Sequence, residues 1–195
     1  MERYKVVLYG SHNTIRELLK KACYQDCDDY YLEDDSHSKS IVNSDKSCTF
    51  DLFNTNCIAG GPIEKHRDFD DNWLKQADGF LIIYSVADSS SFLSLERYYD
   101  RIVRARTDID EKGEKKPVLL VACDCSDIYR EITREDGFLL ARKLGCKFVQ
   151  IDVEDNVKID KLFYDLYDRI NMKTDQTPNI KKTKKIDKFL KIFRF

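Results

Sequence analysis

No apolar run in this chain is longer than a β-strand. The longest, such as Phe80–Tyr84 and Val118–Cys123, fall far short of the roughly 20 residues that a membrane-spanning helix requires. A cleavable leader is not expected either, because Met1-Glu2-Arg3 runs directly into a strand pattern. Glycine is scarce, seven in 195 residues, and only Gly10 stands in the first strand-to-helix turn. Cysteine is not scarce but is unorganised: seven, an odd count at irregular spacing. Cys123-Asp124-Cys125 and Cys23-x-x-x-Cys27 lack partners at metal-ligand spacing, which argues against zinc and for reduced thiols in a cytosolic protein. A domain of this size needs no disulfide staples. No metal site, catalytic residue or internal repeat is assigned, and His12, His37 and His66 stand apart from any nucleophile motif.

The net charge of −2 hides an asymmetry. Residues 179–195 carry seven Lys or Arg and one acid, a net +6, so the other 178 residues sum to −8. A basic end on an acidic body points to surface partners, with no nucleic-acid partner expected. The acidic run Asp26–Asp35 lacks the ligand spacing and turn glycine of a calcium loop, and reads as a solvated or partner-facing surface.

What is present is enough to fill one core: 42% hydrophobic residues, with 11 Phe and 11 Tyr. Residues 3–10 read as a strand and 14–23 as a helix, followed by an exposed loop from Tyr24 to Asp35. Two β-like runs, Ser40–Asn43 and Ser47–Phe53, precede the loop signal Ala59-Gly60-Gly61-Pro62. Gly79–Val86 reads as a buried strand. Ser91 is expected to cap the next helix, which carries Phe92, Leu95, Tyr99 and Ile102. After the charged loop 107–116, Pro117–Val121 is a further strand. Thr133 with Asp136 resembles a capping box, and the helix it opens should end at Gly145. Phe148–Val153 and residues 156–171 supply the last strand and helix. Alternation of strands and helices implies a mostly parallel sheet covered on both faces.

The first turn reads Gly10-Ser11-His12-Asn13-Thr14-Ile15-Arg16-Glu17. A phosphate-binding loop has the form G-x-x-x-x-G-K-[ST]: its second glycine lets backbone N–H groups converge on phosphate, its lysine bonds the terminal phosphates, and its hydroxyl holds magnesium. Here those three positions are Ile15, Arg16 and Glu17, and only the first glycine remains. Nevertheless Tyr4–Gly10, Gly79–Val86 followed by Asp88 and Ser91-Phe92, Pro117–Val121, and Thr133–Phe148 with Ala141-Arg142 and Gly145 stand in a distinctive order. Over residues 3–171 the chain resembles the Ras branch of small GTPases. The resemblance implies a three-layer α/β P-loop G-domain over residues 1–172. Its six-stranded, mostly parallel sheet has helices on both faces, and residues 173–195 form a basic amphipathic tail.

The same resemblance locates the losses. The guanine-reading N-K-x-D falls on Cys123-Asp124-Cys125-Ser126, and the second base-contacting motif, S-A-K, on Asp152-Val153-Glu154. Ser126 cannot accept guanine's paired hydrogen bonds, and Asp124 places an acid where a cation belonged. The D-x-x-G motif falls on Asn54-Thr55-Asn56-Cys57, with Ile58 or Gly61 where a glutamine would orient water. The effector loop falls on Leu32-Glu33-Asp34-Asp35-Ser36-His37, with Tyr31 where a small magnesium-binding hydroxyl is expected. GTP hydrolysis rests on positioning and electrostatics by these same parts (Ras is itself an instance of this rule). The expectation is therefore a pseudo-GTPase, with guanine-nucleotide binding absent or very weak and no cofactor. It would act as a signalling and protein-interaction module through switch-like loops at about 26–40 and 54–73, with Glu33, Asp34, Asp35 and Trp73 as contacts. The competing reading is a divergent GTPase that binds GTP or GDP, with Glu17 on magnesium and Arg16 in place of the lysine.

In the tail, Lys181, Lys182, Lys184, Lys185 and Lys188 lie opposite Ile186, Phe189, Leu190 and Phe193, an i, i+3, i+4, i+7 stripe. Such a segment suits anionic membrane lipids; packing on the body or binding an acidic partner is the alternative. No cysteine follows Cys146, so a prenyl anchor is not expected. The expected location is the cytoplasm, peripheral on the inner face of the plasma membrane.

Overall fold

A computed structural model describes residues 2–24, 36–42, 47–55, 73–105, 116–124 and 129–172. In chain order the elements are β1 (Glu2–Gly10), α1 (His12–Leu19, continued by a π-helical turn Lys20–Tyr24), β2 (Ser36–Val42) and β3 (Ser47–Asn54). They continue with β4 (Gly79–Ser85), α2 (Ser89–Leu93), α3 (Leu95–Ala105), β5 (Val118–Asp124), α4 (Arg134–Leu144), β6 (Lys147–Asp152) and α5 (Asn156–Asn171). The strands form one six-stranded sheet in the order β2-β3-β1-β4-β5-β6. Only the β2–β3 pair is antiparallel.

Alternation of side chains along each strand divides the core into two layers. Val6, Leu8, Leu81, Ile83, Leu119 and Val121 face α1 and α5, where Ile15, Leu18, Ile159, Phe163 and Leu166 meet them. Val7, Tyr9, Phe80, Ile82, Leu120 and Ala122 face the other side, where Leu95, Ile102, Leu140 and Ala141 complete the packing. Strands β4 and β5 are buried on both faces, which is why they read as continuous apolar runs. The three-layer α/β architecture expected from the sequence is the one observed.

Local signals explain several boundaries. The Thr133 hydroxyl accepts the Asp136 N–H at 3.2 Å, and the Asp136 carboxylate accepts the Thr133 N–H at 3.0 Å, a reciprocal cap at the start of α4. Gly145 closes that helix at φ 72°, a left-handed position that glycine adopts without strain. Asp155 caps α5 by accepting the N–H groups of Val157 and Lys158.

Four expectations need correction. Strand β2 begins at Ser36 rather than Ser40, so residues 36–40 belong to the sheet and not to a switch loop. Only one face of β2 is buried, and its first three outward positions, Ser36, Ser38 and Ser40, are serines, which hides the start of the strand in the composition. His37 is not an isolated polar residue but is buried, with Nδ1 2.7 Å from the Tyr24 hydroxyl. The helix cap expected at Ser91 is supplied by Asp88, whose carboxylate accepts the Ser90 N–H at 2.9 Å, and the helix divides at Ser94. The Ser91 hydroxyl instead donates to the Asp88 carbonyl at 2.6 Å. Finally, β5 runs three residues further than expected, to Asp124, and thereby takes Cys123 into the sheet.

Gly10, the one glycine retained in the first turn, has a structural cause. It sits at φ 152° opposite Ile83 of β4, and a Cβ there would lie 2.0 Å from the Ile83 carbonyl oxygen. Replacing Gly10 with Ala is expected to destabilise the fold by about 3 kcal/mol, because backbone must move to admit the methyl group. Denaturant unfolding measures it; a loss below about 1 kcal/mol would contradict this account of the glycine.

Candidate functional site

The segment after Gly10 decides what the first turn can do. Ser11 is the last non-helical residue (φ −67°, ψ 131°), and α1 starts at His12. The Ile15 N–H donates to the Ser11 carbonyl at 3.0 Å, closing the first helical turn. Within a helix each later amide is likewise taken by the carbonyl four residues back. Amides that would have to converge on a phosphate are therefore engaged within the chain from Ile15 onward.

Side chains follow the same helical logic. Thr14, Ile15, Leu18 and Leu19 form the buried face, and Ile15 has no solvent exposure. His12, Asn13 and Glu17 are exposed, and Arg16 is half-buried. Glu17 is thus on the solvent-exposed side of α1.

The segments that the resemblance assigns to the base come to the same end of the sheet. Cys123 is fully buried, and its carbonyl accepts the Val86 N–H at 3.0 Å. Asp124 pairs with Arg130 through its carboxylate, while its carbonyl accepts the Val153 N–H at 3.1 Å. The Asp152 carboxylate turns back to accept the Glu154 N–H at 3.0 Å. Glu154 in turn pairs with Lys21 at 2.8 Å, tying the π-helical turn after α1 to the loop after β6. Ile15, Cys123 and Val153 all belong to one apolar cluster. The structure therefore brings the positions that the resemblance assigns to three motifs together through core packing and paired charges. Cys125 and Ser126 lie outside the described residues.

At the end of β3, Asn54 is buried. Thr55 donates both its N–H (3.3 Å) and its hydroxyl (2.9 Å) to the Leu8 carbonyl. Asn56, Cys57, Ile58 and Gly61 lie outside the described residues, as do Glu33, Asp34, Asp35 and the tail residues Lys181, Lys182, Lys184, Lys185, Lys188, Phe189, Leu190 and Phe193. Of the effector-surface positions, Trp73 is described. It stacks on Phe53 with ring centroids 3.9 Å apart, and the Lys5 ammonium lies 5.8 Å over its ring.

Sequence reasoning missed the Asp124–Arg130 and Lys21–Glu154 pairs, because neither spacing carries a local signal. It also missed Glu131, whose carboxylate accepts the Ser89 N–H at the start of α2 at 2.9 Å and is held below the usual carboxylate range by hydrogen bonds from the Ser89 side chain and then its backbone. Among the described residues no group of three or more His, Cys, Asp or Glu could hold a metal ion. Burial pushes the Cys23 thiol up to about 12, against the opposing Lys39 ammonium, so it stays protonated and unreactive near neutral pH.

If Ile15 is a core residue, restoring glycine there removes both packing and helix propensity. Ile15→Gly should cost about 4 kcal/mol, combining a large-to-small cavity with the entropic penalty of glycine in a helix. Chemical denaturation reads this out directly. A stability change under about 1 kcal/mol would place Ile15 outside the load of the core.

Comparison with known proteins bears on the fold. The sequence profile of the Ras family matches residues 17–172. The chain is 25% identical over 186 residues to "Ras-like protein 1" of Pyricularia oryzae, covering 85% of this chain and 74% of that protein. It is 24% identical over 194 residues to "Protein ras-2" of Neurospora crassa (89% and 81% covered). It is 29% identical over 177 residues to "Ras-like protein rasS" of Dictyostelium discoideum (85% and 82% covered).

Proposed function

The chain belongs to the Ras family, and from that premise we propose that it is a pseudo-GTPase: an interaction module whose surface does not depend on guanine nucleotide. The observation that carries this reading is the start of α1 at His12, with the Ile15 amide bonded to Ser11 and the Ile15 side chain in the core. A phosphate cradle needs that stretch as an open loop with close backbone approach, for which glycine is suited and a β-branched residue is not.

Charge supports the same reading. The triphosphate is anionic, and the resemblance puts Glu17 at the magnesium-holding position beside it and Asp124 at a base-reading position. One is exposed and the other is already neutralised by Arg130. The residues available do not fit magnesium either, since Glu17 faces solvent and Asn54 is a neutral amide. The reading of a divergent GTPase would require α1 to unwind its first turn and expel Ile15 from the core.

The module then works through surfaces held by packing rather than by ligand. Trp73 is set by its stack on Phe53, and the acidic segment that includes Glu33, Asp34 and Asp35 is its proposed partner-facing neighbour. Protein partners are proposed for this side. Residues 173–195, outside the described part, are proposed to hold the protein on anionic lipid at the cytoplasmic face of the plasma membrane through Lys181, Lys182, Lys184, Lys185 and Lys188 beside Phe189, Leu190 and Phe193. Among the described residues no helix is long and apolar enough to cross a membrane.

Two measurements test these statements. A ligand present at a hundredfold its dissociation constant stabilises its protein by about 2.7 kcal/mol, which for a chain of this size is a rise in Tm of about 5–10 °C. Magnesium with millimolar GTP or GDP is expected to move Tm by less than about 1 °C. Acid extracts of the purified protein should contain no stoichiometric guanine nucleotide. A large magnesium-dependent shift, or bound GDP, would overturn the pseudo-GTPase reading. Separately, Phe189→Ser with Phe193→Ser should release the protein from phosphatidylserine-containing vesicles; undiminished binding would reject the tail as a lipid anchor.

A further inference from the structure

Helix α4 keeps an aromatic side chain in solvent between two arginines. Its exposed residues are Arg134, Glu135, Phe138, Arg142 and Lys143, three cations to one acid. Arg134, Phe138 and Arg142 recur every four residues, so they form one ridge along the helix, about 12 Å from first to last. Phe138 is 52% exposed, and rolling the helix cannot take it inside. The buried stripe is Gly137, Leu140 and Ala141, and a Cβ on Gly137 would lie 2.2 Å from the Tyr84 hydroxyl oxygen. Lys143 is engaged by Glu96 of α3 at 2.9 Å. Among the described residues neither Arg134 nor Arg142 has an ion pair.

A ridge of cation, ring and cation fits a partner that sets acid, apolar group and acid over the same span. This chain carries that pattern in its acidic segment: Asp29-x-Tyr31-x-Glu33 places the three on one side at strand spacing, about 13 Å from first to last. Within one molecule the two cannot meet. Residues 25–35 join the π-helical turn to β2 at one edge of the sheet, while α4 packs over β5 and β6 at the other. Five strand spacings separate the edges, about 24 Å, and α1 and α4 lie on opposite faces of the sheet. Eleven residues held at both ends reach about 18 Å at most, short of that separation even before the intervening helices are rounded. Pairing of ridge and segment is therefore intermolecular.

We propose that the Arg134–Phe138–Arg142 ridge of α4 is a docking surface for the acidic segment of a second copy of this chain, with Asp29 and Glu33 on the two arginines and Tyr31 on Phe138. The proposal rests on the reading of the acidic segment as partner-facing, and it names one partner. Each molecule offers a ridge at one edge of its sheet and a segment at the other, so the contact is heterologous and joins molecules head to tail. A patch this small, with exposed charges at its rim, gives a weak association that salt screens.

Sedimentation of the full chain tests this. At about 200 μM protein and about 50 mM salt the weight-average mass should rise with concentration, and about 0.5 M salt should return it to that of the monomer. Arg134→Gln with Arg142→Gln should weaken the association about tenfold, as should Phe138→Ser, and so should Asp29→Asn with Glu33→Gln on the other side of the contact. An equimolar mixture of the arginine and acid variants keeps one intact ridge and one intact segment per pair, so it should form dimers that grow no further. A mixture that stays monomeric, or an arginine variant that associates within about twofold of the wild type, overturns the proposal. A wild-type chain that stays monomeric at low salt overturns it as well, and leaves the pseudo-GTPase reading to its own nucleotide test.

Discussion

The insertion of Ile15 between α1 and the sheet constrains everything else at this end of the molecule. A residue that is buried and β-branched must hold one backbone conformation, and here that conformation is helical. Full burial of such a side chain contributes about 1.5–3 kcal/mol, and with Ile15 buried its amide is satisfied by the Ser11 carbonyl. The two effects reinforce each other. A loop open enough to receive phosphate would expose the side chain and leave the amide to solvent.

The neighbouring segments are adapted to the same closed arrangement. Asp124 puts an acid at a base-reading position, and its carboxylate is paired with Arg130. Lys21 and Glu154 bridge the segment after α1 to the segment after β6. These pairs are solvent-facing enough that each adds little stability by itself. Their effect is on charge: Asp124 and Glu154 are each paired with a cation. The Ras-family skeleton is kept because its core depends on alternating apolar strands and amphipathic helices, none of which requires a ligand.

Much of this was legible from residue order. β4 and β5 are continuous apolar runs because both of their faces are covered, and the cap of α4 follows from Thr133 and Asp136 alone. The substitutions at Ile15, Arg16 and Glu17 are equally plain in the sequence. What residue order did not carry was set by contacts across the fold. The start of α1 moved to His12 because Ile15 has a core to enter. The first half of β2 was hidden because its serines face outward while His37 finds Tyr24. Arg130 reaches Asp124 only after the chain has turned back between β5 and α4. Gly10 illustrates the opposite hazard, since a glycine that looks like the remnant of a phosphate loop is accounted for by its contact with the Ile83 carbonyl.

The first turn of α1 closes as a helical turn on Ser11. Residue-resolved amide exchange across His12–Glu17, with and without magnesium and GTP, tests it most directly. The Ile15 and Arg16 amides should exchange slowly in the free protein, and their rates should be the same when nucleotide is added. Rapid exchange in the free protein that becomes protected on addition of nucleotide would contradict the account.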